Sequence, residues 1–137
     1  MDLKFNWVEK KTSGRGRDTS DSFVGISTIR NGKNSKGHIR RAAVISFYEK
    51  AMKKLRFMKG DLVEVGFDKT ARLMAIKRTT SSKGYTLSKM GKQIRFQIME
   101  EMYPFIHDES IYLEEDHYFE QDGMFIFNLS TFGIKIK

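Results

Sequence analysis

The chain has 137 residues, a formal net charge of +8 and 39% hydrophobic residues, which suits one domain with a substantial core. No apolar run approaches the ~18 residues of a membrane span, and the absence of cysteine excludes disulfides and thiolate metal sites. The first residues lack the apolar stretch of a signal peptide, so we expect a cytoplasmic protein.

The charge is distributed unevenly along the chain. Residues 1–100 hold 23 Lys/Arg and 9 Asp/Glu, a net charge of +14. Residues 101–137 hold 2 Lys/Arg and 8 Asp/Glu, a net charge of −6. A basic body with an acidic C-terminal segment is typical of a protein that binds a polyanion.

The N-terminal part combines a polar arm with a predicted hairpin. Residues 1–22 include a Gly/Ser-rich segment with four Lys or Arg from Lys10 to Arg17 and no periodicity, which predicts a flexible basic arm. Residues 23–29 and 38–45 then read as two strands joined by a turn that carries Lys33 and Lys36.

Strands and helices are predicted to alternate in the middle of the chain. Apolar residues at helical spacing predict a short helix from Ser46 to Leu55. Three strands should follow, at 62–67, 71–78 and 85–88. Ile94, Ile98 and Met102 then fall at four-residue steps, which predicts an amphipathic helix over 91–103 that Pro104 ends.

The acidic segment 105–137 is also rich in aromatic residues. Two runs, 110–119 and 124–130, flank the turn residues Gln121-Asp122-Gly123, which predicts a final hairpin in the same globule. The whole chain is thus expected to be an α+β protein. It would have a nucleic-acid-binding sheet and helix in residues 23–104, followed by this hairpin.

Residues that would support catalysis or a cofactor are sparse. The histidines are scattered and no His/Cys spacing suits zinc. The acidic clusters accompany no glycine-rich phosphate loop, and Glu114 and Glu115 would face opposite sides of a strand. The sequence therefore predicts a protein that is not an enzyme and holds no metal or cofactor.

Basic residues on the predicted strands and loops are the candidate nucleic-acid ligands, because cations gathered on a sheet bind phosphates and release counterions. The candidates are Lys33, Lys36, Arg40, Arg41, Arg72, Lys77, Arg78 and Lys83. Strand alternation allows at most one member of the pairs Arg40/Arg41 and Lys77/Arg78 to share a common surface. Tyr85 is the candidate for stacking on a base.

The stretch from Gly60 to Tyr103 resembles the single-stranded-DNA-binding family of Positive Cofactor Four and the plant Whirly proteins. Two strands, a short strand Tyr85-Thr86-Leu87-Ser88 and an amphipathic helix would follow one another as in that family. The resemblance implies a curved antiparallel sheet with a ββββα-like order. A small bacteriophage-encoded member, which would act in the host cytoplasm, would fit the length and composition.

The resemblance also implies a function. Sequence-independent binding of single-stranded DNA in replication, recombination or transcription is expected, with Arg72, Lys77, Arg78, Lys83 and Tyr85 as ligands. It further implies a homodimer formed through the helix, with Ile94, Ile98 and Met102 at the interface. RNA or duplex DNA remain possible partners.

Two other functions remain open. Residues 47–68 also resemble the swapped-hairpin domains of bacterial transition-state regulators, which bind duplex DNA as dimers. That domain would leave residues 80–137 unexplained. Alternatively, the chain is a protein-interaction adaptor whose working surface is the acidic segment from Asp108 to Asp122.

Overall fold

The protein is an α+β protein built mostly of antiparallel β-sheet. Its computed structural model describes residues 22–33, 39–107 and 109–137, with the backbone alone described at 29–33 and 39–41. The strands are β1 (Val24–Lys33), β2 (Ile39–Phe47), β3 (Leu62–Asp68), β4 (Leu73–Arg78), β5 (Tyr85–Thr86), β6 (Ser88–Met90), β7 (Gln93–Met99), β8 (Phe105–Ile106), β9 (Ile111–Leu113), β10 (Tyr118–Gln121), β11 (Met124–Asn128) and β12 (Lys135–Ile136). The helix is α1 (Glu49–Leu55), and 3₁₀ turns lie at Glu100–Met102, Glu115–His117 and Ser130–Phe132.

Two five-stranded sheets form the body of the molecule. Sheet A has the order β6-β7-β2-β1-β9, and sheet B has the order β10-β11-β4-β3-β5. The chain passes from sheet B to sheet A between β5 and β6, and returns from sheet A to sheet B between β9 and β10. An edge strand of sheet A and an edge strand of sheet B are therefore consecutive along the chain at each crossing. We call the two crossings, β5 to β6 and β9 to β10, the corners of the molecule.

The core consists of residues that alternate along the strands. Directly paired residues of neighbouring strands share a face, so the pairs Ile26↔Ile45 and Ile45↔Phe96 place three buried side chains on one face of sheet A. Met74 and Phe127 are paired in the same way in sheet B and have no exposed surface. Burial of a large apolar side chain contributes roughly 1.5–3 kcal/mol, so this alternation stabilises the fold.

The helix α1 and a two-stranded sheet cover the two ends of this core. Ala51 and Leu55 of α1 are buried against it. At the other end of β3, the Phe67 ring packs edge-on against Tyr103 and Phe105 at centroid distances of 5.7 and 5.8 Å. Phe105 belongs to β8, which pairs with β12 near the end of the chain.

The amphipathic helix expected over residues 91–103 is wrong, because this segment contains β7. Ile94, Phe96 and Ile98 are buried at every second position and point into the core. The four-residue step from Ile94 to Ile98 fits two strand repeats as well as one helical turn, so it does not distinguish the two. Hydrogen-bonded pairing with both β2 and β6 decides the outcome in favour of a strand.

This correction removes the expected helical dimer interface. Ile94 and Ile98 are only 2% and 1% exposed, so they have almost no surface for a partner. Met102 is 64% exposed and lies in the 3₁₀ turn after β7. The order of four strands followed by a helix is therefore not formed here, while dimerisation itself stays a prediction.

The predicted C-terminal hairpin is formed by β10 and β11, but it is shorter than expected. Asp122 and Gly123 between the strands have φ values of 53° and 77°, which suits the tight turn of a two-residue hairpin. Residues Ile111–Leu113 leave the predicted hairpin and pair with β1 at the edge of sheet A. The first aromatic run, residues 110–119, thus contributes β9 to sheet A and the start of β10 to sheet B.

Candidate nucleic-acid interface

The first group of predicted ligands lies on the hairpin of β1 and β2. The backbone of Lys33 lies in β1 and the backbone of Arg40 and Arg41 lies in β2, where Arg41 pairs with Arg30. The side chains of these residues, and the whole of Lys36, lie outside the described residues. Their role as ligands stays a prediction.

The predicted ligands in and beside β4 make contacts within the protein. Lys77 pairs with Glu64 across the strands, with 3.5 Å between Nζ and Oε2, and both side chains are about half exposed. Arg72 lies in the turn before β4, and its Nε donates to the carbonyl oxygen of Ile134 at 3.4 Å. These contacts restrict the two side chains, and their role as ligands stays a prediction.

Arg78 is held more firmly. Its Nη2 donates to the carbonyl oxygens of Leu55 and Arg56, each at 2.6 Å, and its guanidinium carbon lies 4.6 Å from the centre of the Phe57 ring. The last carbonyls of a helix have no partner within the helix. Arg78 therefore fastens the C-terminal end of α1 to β4, while its role as a nucleic-acid ligand stays a prediction.

Four further cations lie along the segment that runs from the loop before β5 through β6 to β7. Lys83 precedes β5, Lys89 lies in β6, Lys92 follows in the turn, and Arg95 lies in β7 opposite Ser88. In the part of the chain that the structure describes, none of these four side chains forms an ion pair. We call these four residues the basic corner.

Sequence reasoning included Lys83 in the site but missed Lys89, Lys92 and Arg95. These three fell in or beside the segment predicted to be a helix, so they were not included among the candidate ligands on strands and loops. A signal was nevertheless present, because residues 69–99 contain eight Lys/Arg and no Asp/Glu. The fold places the second half of this segment along one edge of both sheets.

Apolar and aromatic groups accompany the basic corner. Tyr85 is half-buried, pairs with Val63 and packs against Phe96 with 5.3 Å between ring centres. Its ring is therefore held in place and presents only part of its surface to solvent. Met90 lies in β6 next to Lys89 and is 48% exposed.

The outward face of sheet A adjoins the basic corner. Direct pairing puts Ser88, Arg95, Ser46, Gly25 and Tyr112 in one row across all five strands. The Tyr48 side chain lies over Gly25, where a Cβ atom would be 2.6 Å from its hydroxyl oxygen, so a larger residue at this position would displace the tyrosine ring. Among the side chains that the structure describes, this row contains a cation and no carboxylate.

The opposite corner, where β9 passes into β10, is acidic. Residues 109–122 contain no Lys or Arg and six carboxylates, which we call the acidic corner: Glu109, Glu114, Glu115, Asp116, Glu120 and Asp122. The pKa of Tyr118 is raised above its usual value, first by burial and then by the negative charges of Glu115 and Glu120. All three oppose ionisation of the phenol. The molecule thus presents opposite charges at its two corners.

The described residues offer neither a metal site nor a membrane-spanning helix. No group of three or more His, Asp or Glu side chains there is arranged to hold a metal ion. Nor does this portion include a helix with the length and apolar character required to span a membrane. Comparisons with protein-family models, curated proteins and solved structures give no match.

Proposed function

We propose that this protein binds single-stranded DNA, largely independently of base sequence, through the basic corner. Such binding would serve replication, recombination or transcription. The observation that carries the proposal is the group of four cations, Lys83, Lys89, Lys92 and Arg95, which form no ion pair within the described residues. They lie in a segment of 31 residues, 69–99, that has no carboxylate of its own.

The proposed mechanism combines phosphate capture with contacts to bases. Unpaired cations can replace the counterions of a polynucleotide, and the release of those ions favours binding. The exposed thioether of Met90 and the exposed edge of Tyr85 lie beside these cations and can contact unpaired bases. A duplex hides the faces of its bases, so these apolar contacts favour the single strand.

A titration with labelled oligonucleotides at several salt concentrations tests this proposal. In the double variant Lys89→Ala/Lys92→Ala, we expect weaker binding and a salt slope reduced by about 0.7 for each phosphate that is no longer bound. The matched control is Lys69→Ala/Lys135→Ala, which removes the same charge from the β3–β4 turn and β12. An equal fall in affinity and slope in both variants would contradict a localised site.

The same titration separates the two other functions. Tighter binding to duplex DNA than to single strands would favour a transcriptional regulator of the swapped-hairpin type. Binding to neither form at low salt would favour an adaptor that works through the acidic corner. Arg72→Ala and Arg78→Ala are less useful tests, because both side chains also make structural hydrogen bonds.

A further inference from the structure

Each corner presents one large apolar side chain to solvent beside its charges. Met90 is 48% exposed next to Lys89 at the basic corner, and Phe119 is 46% exposed next to Glu120 at the acidic corner. Neither belongs to the core cluster. A single exposed apolar side chain does not by itself mark an interaction surface, so it is the opposite charges of the two corners that indicate a contact.

Phe119 also borders a recess and an apolar sheet face. An open cleft of about 430 Å³ is lined by Lys54, Glu115, Tyr118, Phe119 and Glu120. Two carboxylates face one lysine there, and no ion pair joins them within the described residues. Phe119 pairs with Ile126, so both lie on the outward face of sheet B.

We propose that the acidic corner of one copy docks against the basic corner of a second copy. Charge complementarity selects this occupant, because Lys89 and Lys92 of one copy would meet Glu115 and Glu120 of the other. The corners lie at opposite edges of both sheets, so the contact is head-to-tail and does not close in a dimer. A symmetric contact of either corner with itself would oppose like charges.

The same contact regulates the binding of single-stranded DNA. This regulation rests on the proposed function, whereas the contact itself does not. The acidic corner and a polynucleotide present the same kind of charge to the same four cations. Binding of one therefore excludes the other, and single-stranded DNA releases the second copy. Because the contact is small and electrostatic, it is weak and is screened by salt.

Charge reversal tests the contact in the absence of nucleic acid. Sedimentation velocity of the full chain at low salt should show association that depends on concentration and disappears at high salt. Lys89→Glu/Lys92→Glu and Glu115→Lys/Glu120→Lys should each weaken self-association at least about tenfold. An equimolar mixture of the two variants should associate again, because each then supplies a complementary corner to the other.

A variant that simply misfolds cannot restore association in the mixture, so the mixture guards against that explanation. Lys69→Glu/Lys135→Glu is the control that changes the net charge equally at another surface, and it should associate like the original chain. A monomer at low salt, or a salt-resistant dimer that the reversals leave unchanged, would overturn the proposal. Association without any binding of oligonucleotides would instead reject the proposed function and keep the contact.

Discussion

The two corners of the molecule are built alike and charged oppositely. At one corner Leu87 lies between β5 and β6, and at the other Leu113 ends β9 before the chain turns to β10. Both leucines have no exposed surface. Their backbones are also tied, since the Leu87 amide donates to the Asp61 carbonyl and the Phe23 amide donates to the Leu113 carbonyl, both at 2.9 Å.

This comparison separates what folds the protein from what it can bind. The edge strands at the corners, β5, β6, β9 and β10, are only two to four residues long, and short edge strands reduce edge-to-edge aggregation. At each corner a buried leucine holds the chain against the core. The charges around them contribute little to the core, so they are free to specify partners. The proposed function thus rests on side chains whose removal should cost little stability.

The largest expected effect tests whether the corners are equivalent in packing. Leu87→Ala and Leu113→Ala should each lower the free energy of unfolding by about 2–5 kcal/mol, because each leaves a cavity in a fully buried site. Urea denaturation followed by circular dichroism measures the decrease. By contrast, Lys89→Ala should change stability by less than about 0.5 kcal/mol. A small decrease at only one leucine would show that this corner is not closed by packing.

A smaller loss of stability distinguishes a cation that makes structural hydrogen bonds from one that forms only an exposed ion pair. Arg78→Ala should destabilise by about 1–2 kcal/mol, because the carbonyl oxygens of Leu55 and Arg56 lose a charged donor. Lys77→Ala removes an exposed pair with Glu64 and should cost about 0–1 kcal/mol. Thermal unfolding of the two variants compares them directly. Equal costs would mean that Arg78 does not fasten α1.

The strands around the core were largely predictable from the sequence. Strands close to β1, β2, β3, β4 and β11 were expected from apolar, β-branched and aromatic runs separated by turn residues. The exception was β7, where the period of Ile94 and Ile98 suits a helix equally well. Only the pairing of this segment with β2 and β6 excludes the helix, and that pairing depends on residues distant in sequence.

The site was predictable only in part for the same reason. Lys83, in the loop before β5, and Tyr85, at the start of β5, were proposed as ligands from their place at a loop-to-strand junction, and this stays a prediction. The structural role of Arg78 could not be foreseen, since its partners at Leu55 and Arg56 lie 23 and 22 residues away and only the fold brings them together. The position of Arg95 beside Ser88 likewise follows from the β6–β7 pairing. Charge alone could not separate structural cations from free ones.

Two glycines of sheet B and its hairpin turn provide a matched pair of smaller effects. Gly123 has a φ of 77° in the β10–β11 turn, so Gly123→Ala should cost about 1 kcal/mol. Gly66 lies in β3, where an added Cβ atom would meet only open space, so Gly66→Ala should stabilise by about 0.4–1 kcal/mol. Chemical denaturation should therefore shift in opposite directions. Destabilisation at Gly66 would indicate that its outward face is covered.

The electrostatic field of the acidic corner can be measured through the pKa of Tyr118. The substitutions needed for this measurement should change stability little. Burial and then the charges of Glu115 and Glu120 raise the pKa of its phenol above the usual value. In Glu115→Gln/Glu120→Gln the burial remains while the charges are removed, so this pKa should fall but stay raised. Carbon-13 NMR of the tyrosine ring follows the titration.

The control for this measurement removes two carboxylates elsewhere, in Glu49→Gln/Glu101→Gln. Glu49 lies in α1 and Glu101 lies in the 3₁₀ turn after β7, and neither contributes to the raised pKa of Tyr118. An equal fall in both variants would mean that Tyr118 senses the net charge of the whole protein. A fall confined to the first variant would show a local negative field, the property that a cationic corner of a second copy requires.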